Sequence, residues 1–166
     1  ATGILFNLDN VGPVELATTA FGQGISVTAI QQVSAVSAIV NGGTLYTPYI
    51  VSSIGDKDNN PKVKKEKIIT KETSNLVKYA LESVVANGSG RNAYIENYRI
   101  GGKTGTAQKV GSDGRYMYGN YVLSFIGFMP ANDPEYVIYI ALDHPTGVTQ
   151  YGGVVSAPVA RNVLKD

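Results

Sequence analysis

Apolar residues recur at helical spacing in two stretches of this 166-residue chain and gather into β-rich runs in three others. In the first stretch Ile30, Val33, Val36, Ile39 and Val40 share a helical period, and Thr28-Ala29-Ile30-Gln31 ahead of them has capping-box form. Asn41-Gly42-Gly43 stops this helix. The interleaved Ala35 and Ala38 make it apolar nearly all round, which predicts a buried helix. A strand is predicted over 44–54, through Leu45, Tyr46, Tyr49, Ile50 and Val51, running into a polar turn over 55–61. Thr70 opens a second helix with Leu76, Val77, Ala80, Leu81, Val84 and Val85 on its buried face. Asn87-Gly88 suits a left-handed cap at its end. Ahead of all this, residues 1–24 are rich in glycine and small polar residues and predict loop with short extended pieces.

The last third changes character. Runs over 98–108, 122–129 and 136–142 predict strands, the second and third joined by a hairpin at Pro130-Ala131-Asn132-Asp133-Pro134. The first two flank a polar loop over 111–120. Ser156-Ala157-Pro158 offers an N-cap and an early-helix proline leading to Val159, Ala160, Val163 and Leu164. The order helix, helix, three antiparallel strands, helix predicts a mixed α/β (α+β) domain, an antiparallel sheet flanked by helices.

Composition narrows the chemistry. Fourteen basic and 13 acidic residues give a formal charge of +1, with no general pull toward nucleic acid or an anionic membrane. The local cluster Lys62, Lys64, Lys65 and Lys67 reads as a solvated loop. The absence of cysteine excludes disulfides, thiolate nucleophiles and cysteine zinc sites. His144, the single histidine, sits in a turn-like Asp143-His144-Pro145 and cannot build a metal site alone, so no metal and no organic cofactor is expected. Residues 16–55 carry no charge, but glycines, glutamines and Asn41 interrupt them before ~20 apolar residues accumulate, so this is core and not a membrane span. The opening Ala1-Thr2-Gly3, without a start methionine, suggests a piece of something longer.

The most informative run is Ile100-Gly101-Gly102-Lys103-Thr104-Gly105-Thr106-Ala107-Gln108. A phosphate-cradling loop ending in Gly102-Lys103-Thr104 needs a glycine five residues before Gly102, where Asn97 stands, and it must feed a helix, whereas strand follows. The other reading is a Lys-Thr-Gly strand, an element that accompanies a Ser-x-x-Lys nucleophile in penicillin-interacting serine enzymes. On an edge strand the side chains alternate, placing Thr104 and Thr106 on one face and Lys103 and Gly105 on the other. Gly105 leaves room for a substrate backbone, and an extended peptide can add to the strand through main-chain hydrogen bonds. Lys103 supplies positive potential, the two threonine hydroxyls can bind a carboxylate, and the Thr106 N–H can serve as an oxyanion donor.

Other segments carry a family resemblance. Phe21-Gly22-Gln23-Gly24-Ile25-Ser26-Val27-Thr28, the helix end Ala38-Ile39-Val40-Asn41-Gly42-Gly43, Ser124-Phe125-Ile126-Gly127-Phe128-Met129-Pro130-Ala131, the run over 137–143, and Gly152-Gly153-Val154-Val155-Ser156-Ala157-Pro158-Val159 stand in order and at spacing over nearly the whole chain. Together with the Lys-Thr-Gly run they resemble the C-terminal half of the transpeptidase domain of class B penicillin-binding proteins. From Ala107-Gln108-Lys109-Val110 through the 145–153 loop to Ala157-Pro158, the similarity is greatest to a sporulation-specific member of the class. The resemblance implies the penicillin-binding transpeptidase/serine β-lactamase-like fold and a serine that attacks the D-Ala–D-Ala bond of a peptidoglycan stem peptide. It implies β-lactams as further ligands, a membrane-anchored parent at the extracytoplasmic face, and no nucleic acid or membrane contact by this segment.

One departure bears on activity. No serine in the chain has lysine three residues on or asparagine two residues on. In the family both motifs precede the Lys-Thr-Gly strand. The expectation is therefore a segment, 1–166, that holds Lys103, Thr104, Gly105 and Thr106 as its site residues, lacks the nucleophile, and is inactive alone. A serine β-lactamase-like hydrolase, which shares the strand, and a non-catalytic binding module are the alternatives. Missing covering helices lead to the expectation of extra exposed apolar surface or self-association of the segment. Arg91 after Gly88-Ser89-Gly90, Tyr116, Tyr118 and Tyr121 near the 111–120 loop, and Gln150 and Tyr151 could border the cleft or simply be solvated or packed.

Overall fold

The structure, a computed structural model, describes residues 3–166; Ala1 and Thr2 at the start of the predicted loop lie outside the described residues. In chain order the helices are α1 (Pro13–Ala20), α2 (Ala29–Val40), α3 (Lys71–Asn87) and α4 (Gly152–Lys165). Between α2 and α3 lie four short strands, β1 (Leu45–Thr47), β2 (Ser53–Ile54), β3 (Lys57–Asp58) and β4 (Lys62–Lys65). The long strands are β5 (Gly101–Val110), β6 (Tyr116–Met129) and β7 (Tyr136–Asp143), antiparallel in the order β5-β6-β7. Register is continuous from Gly101↔Phe128 to Gln108↔Tyr121 and from Val122↔Asp143 to Met129↔Tyr136. The predicted fold class and the predicted 130–134 hairpin are both present, the latter entered through a cis Met129–Pro130 bond.

Alternation along β6 splits the core in two. Phe125, fully buried, packs with Val85 of α3, Ala93, Ile95, Ile100 and Ala157 and Ala160 of α4. Phe128, also fully buried, lies with Val40, Val36 and Ile39 of α2, Leu81 of α3 and Ala131. The sheet is therefore sandwiched, α4 against one face and α2 against one end of the other, with α3 reaching both clusters. Gly101 and Gly102 are required by this arrangement. A Cβ on Gly101 would stand 2.2 Å from the Phe128 ring, and one on Gly102 would stand 2.4 Å from Phe125.

The helix ends follow local chemistry. Thr28 Oγ1 accepts from Gln31 N–H, and the Gln31 side chain accepts from Thr28 N–H, closing the predicted capping box. At the other end Gly42 (φ +93) and Gly43 (φ +102) take the left-handed region, and Gly43 N–H donates to Ala38 C=O across a Schellman turn. Ser74, fully buried, ties this turn to α3: its hydroxyl donates to Ile39 C=O at 2.6 Å and accepts from Gly42 N–H.

Several expectations are corrected. Residues 13–20 form a helix where loop was expected, because Pro13 sits at its first position and Glu15 accepts from Gly12 N–H. The single strand over 44–54 is instead β1, ended ahead of Pro48, and a separate β2; Pro48 has no N–H to give a ladder. β1 pairs with β4, so part of the lysine-rich loop is strand. On α3, Leu76 and Ala80 are exposed, while Ser74 and Val85 are its buried residues. Gly88 is extended (φ −117), not left-handed, because both Gly88 and Gly90 N–H groups converge on Val84 C=O. β6 begins at Tyr116, six residues earlier than expected, leaving the tight turn to residues 111–115. α4 starts at Gly152 with Tyr151 as its N-cap, so Ser156 is interior, donating to Leu123 C=O at 2.9 Å, and Pro158 lies inside the helix.

Helix α2 is not buried all round. Only Ala38 and Val40 are buried, and Ile30 is 55% exposed. The sheet reaches one side of α2; the other forms an open apolar groove of ≈ 720 Å³ with Leu45, Tyr46, Ile68 and Ile69. Exposed apolar surface is thus present as expected.

Two surface ion pairs are found among the described residues. Lys109–Asp143 is solvated on both sides, whereas Arg99 grips Glu82 with two bonds of 2.7 Å. The hydrogen bonds from Arg99 hold the Glu82 carboxyl below its ordinary value of 4.5. A depressed folded value means stability that is full above the ordinary carboxylate range and is lost as pH falls through the lowered value. Glu82→Gln is expected to destabilise by less than about 1 kcal/mol at neutral pH. Denaturant titrations of the two proteins should converge as the pH is lowered into that acidic window.

Candidate active site

The Lys-Thr-Gly run lies on β5, which is the edge strand of the three-stranded sheet. The glycines before it let the strand lie flush on Phe125 and Phe128, so residues 103–106 are held by the core beneath them. Their side chains divide as predicted. Thr104 and Thr106 look toward the first turn of α4 and the connector after α3. Thr104 Oγ1 donates to Ser89 Oγ at 3.2 Å, and Thr106 Oγ1 accepts from Gly152 N–H at 3.3 Å.

A small pocket of ≈ 300 Å³ opens there. It is bounded by Ser89, Arg91, Thr104, Thr106, Tyr151 and Gly152. Arg91 and Tyr151, left open by the sequence, thus stand at its rim. Glycine at the first two positions of α4 lets the helix seat closely on the strand beside the pocket. A Cβ on Gly152 would meet Gly105 C=O and Ser124 C=O at 2.4 Å, and one on Gly153 would meet Ser89 C=O at 2.5 Å. Asn92 Nδ2 donates to Gly153 C=O at 2.8 Å and clamps the same turn from the other side.

A second opening of ≈ 460 Å³ runs along the other side of the strand. Lys103 and Gly105 meet it together with Ser124, Ile126, Tyr139, Gln23 and Gln32. The Lys103 ammonium donates to Thr104 C=O at 2.9 Å and has no carboxylate partner among the described residues, so its charge is available to an anion. The nearest obstacle to a side chain at Gly105 is Ser124 Oγ at 2.4 Å, a hydroxyl able to rotate; the space it preserves belongs to this opening. Residues 22–26 line the continuation of the opening past Ala107, Gln108 and Tyr116.

Tyr116 therefore borders the cleft. Tyr118, 93% exposed, borders neither opening and is a solvent-facing residue. Gln150 holds its own loop by donating to Pro145 C=O at 2.7 Å. Sequence reasoning missed Ser89, Asn92 and Gln23. The first two come near β5 only because the chain folds through the single turn of 3-10 helix at Arg91–Ala93.

The edge strand of this antiparallel sheet, with its lysine and two threonine hydroxyls beside a glycine-seated helix N-terminus, carries the Lys-Thr-Gly element that β-lactamases and penicillin-binding proteins share. The chain belongs to the penicillin binding protein transpeptidase domain family, whose profile matches residues 1–165. It is 60% identical over 171 residues to stage V sporulation protein D of Bacillus subtilis (strain 168), covering 99% of this chain and 26% of that protein. It is 36% identical over 147 residues to the peptidoglycan D,D-transpeptidase FtsI of Escherichia coli (strain K12), covering 88% of this chain and 24% of FtsI. The chain thus spans about a quarter of the length of these curated relatives.

Among solved structures, apo penicillin binding protein 3 of Mycobacterium tuberculosis superposes with a TM-score of 0.87 at 29% identity, over 99% of this chain and 40% of that one. The same protein complexed with ampicillin gives 0.84 at 27% identity, over 99% and 39%.

Proposed function

We propose that these residues form the substrate-strand part of a serine-type peptidoglycan D,D-transpeptidase, and that the nucleophile and its lysine base are supplied from outside the 166 residues. The observation that carries this reading is that both threonine hydroxyls, and a Lys103 with no carboxylate partner among the described residues, stand on one exposed edge strand. A stem peptide ending in D-Ala–D-Ala would add along β5, its terminal carboxylate received by the Thr104 and Thr106 hydroxyls while Lys103 lends positive potential from the other side of the strand. The attacked carbonyl then becomes an oxyanion facing the Thr106 N–H, a contact worth ~3–4 kcal/mol in acyl transfer. Attack by the serine oxygen breaks the peptide C–N bond, and the departing D-Ala amine takes the proton that the base removed from the serine. An amine on a neighbouring strand takes over the acyl group, forming the cross-link and returning the serine.

β-Lactams would occupy the same strand, with their own carboxylate on the threonines. The ampicillin complex of the mycobacterial neighbour supports this assignment. The 60% identity to stage V sporulation protein D supports a sporulation-stage role for the parent, and family membership supports a site of action at the extracytoplasmic face of the cell membrane. Among the described residues no helix is long and apolar enough to cross a membrane.

The test is Thr104→Val in the full-length protein. It keeps the shape of the strand and removes one donor to a charged group, an interaction worth ~1.5–3 kcal/mol. Acylation by penicillin is expected to slow about 10- to 100-fold at low drug concentration. An unchanged acylation rate contradicts the assignment of β5.

A further inference from the structure

We infer that Ser89 is a positioning residue for Thr104, and that the two hydroxyls together present one oriented proton to the carboxylate of the bound peptide or β-lactam. This rests on the proposed role of β5 and extends it to a residue outside the Lys-Thr-Gly run.

Consider the hydroxyl protons. Thr104 Oγ1 donates to Ser89 Oγ at 3.2 Å; hydroxyl protons rotate, so once a carboxylate takes the Thr104 proton the Ser89 hydroxyl turns to donate to Thr104 Oγ1 instead. Thr106 Oγ1 already accepts from Gly152 N–H, which leaves its own proton free for a ligand. The pocket therefore offers two directed O–H donors, matching the two oxygens of a carboxylate. Without Ser89, the Thr104 hydroxyl keeps its proton but loses the partner that fixes its direction and polarises it.

The mounting of Ser89 supports a positioning role. Its carbonyl is wedged against the first turn of α4, where a Cβ on Gly153 would approach within 2.5 Å. Gly90 N–H on one side donates to Val84 C=O at 3.1 Å, and Asn92 on the other clamps Gly153 C=O at 2.8 Å. A backbone pinned on both sides holds the Ser89 oxygen at a fixed distance from β5. The side chain itself borders the ≈ 300 Å³ pocket and is exposed, so an added methyl group has room in solvent.

The test measures penicillin acylation of the full-length protein as a function of drug concentration, separating the half-saturating concentration from the maximal rate. Ser89→Ala is expected to raise the half-saturating concentration about 3- to 10-fold, with the maximal rate changed less than about twofold. Ser89→Thr, which restores the hydroxyl, is expected to recover wild-type values. In a Thr104→Val background Ser89→Ala should add nothing, because its effect passes through Thr104. The inference is overturned by an indifferent Ser89→Ala, by a Ser89→Thr protein as impaired as Ser89→Ala, or by an undiminished effect in the Thr104→Val background. A wild-type protein that penicillin does not acylate overturns the proposed function and this inference with it. A wild type that is acylated, with Ser89→Ala indifferent, overturns the inference alone.

Discussion

Gly152→Ala is expected to unseat α4 from the sheet and to abolish acylation of the full-length protein beyond what its lost stability explains. The added methyl would meet Gly105 C=O and Ser124 C=O at 2.4 Å and Ser124 N at 3.1 Å. All three are backbone atoms of paired strands, so no side chain can rotate out of the way. The helix must lift. Overpacking of this kind costs ~1–3 kcal/mol and sometimes more. Lifting α4 also withdraws Gly152 N–H from Thr106 Oγ1, so the Thr106 proton loses its direction. Denaturant melting reports the first effect, and acylation rate per folded molecule reports the second. Retention of both would contradict the packing of α4 on β5.

The second large effect concerns chemistry. The 166 residues expressed alone are expected to form no covalent adduct with a fluorescent penicillin, even at saturating concentration. Substrate strand, base and nucleophile act as a unit, and without a serine followed by lysine at the third position no acyl-enzyme can form. The hydroxyls of Thr104 and Thr106 do not substitute, since among the described residues neither is hydrogen-bonded to a side chain that could act as its base. Their hydrogen-bond partners are the Ser89 hydroxyl and the Gly152 amide. Gel fluorescence after denaturation checks this, because only a covalent adduct survives.

Much of the fold was legible where apolar periodicity and turn chemistry agreed. The capping box at Thr28 and Gln31, the Gly42-Gly43 stop and the 130–134 hairpin all have signals contained in a few adjacent residues. The failures share a different cause. Leu76 looks like core on a helical wheel, but tertiary packing places Ser74 inside, because its hydroxyl serves the end of α2, 35 residues away. Ser156-Ala157-Pro158 looks like a helix start, but glycines at 152 and 153 let the helix begin one turn earlier against the sheet. The burial expected of α2 fails on its far side, where Ile30 stays exposed.

For the site, the alternation of β5 was readable from residues 103–106 alone. Ser89 was not. Its hydrogen bond spans 15 residues through a turn whose path no local pattern encodes, and its neighbour Arg91 carries the stronger local signal, a charge.

The Lys-Thr-Gly run is a substrate strand with no Ser-x-x-Lys nucleophile in these 166 residues. The structure adds a hydroxyl pair and a seated helix N-terminus beside it. The most direct test is to mix this chain with the separately produced remainder of the full-length protein, add penicillin, and locate the penicilloyl group by peptide mass spectrometry. The account predicts an adduct only in the mixture, on a serine of the Ser-x-x-Lys motif in the other piece, forming about 10- to 100-fold more slowly when this chain carries Thr104→Val. An adduct on any residue within these 166, or equal labelling of the other piece in the absence of this chain, would contradict it.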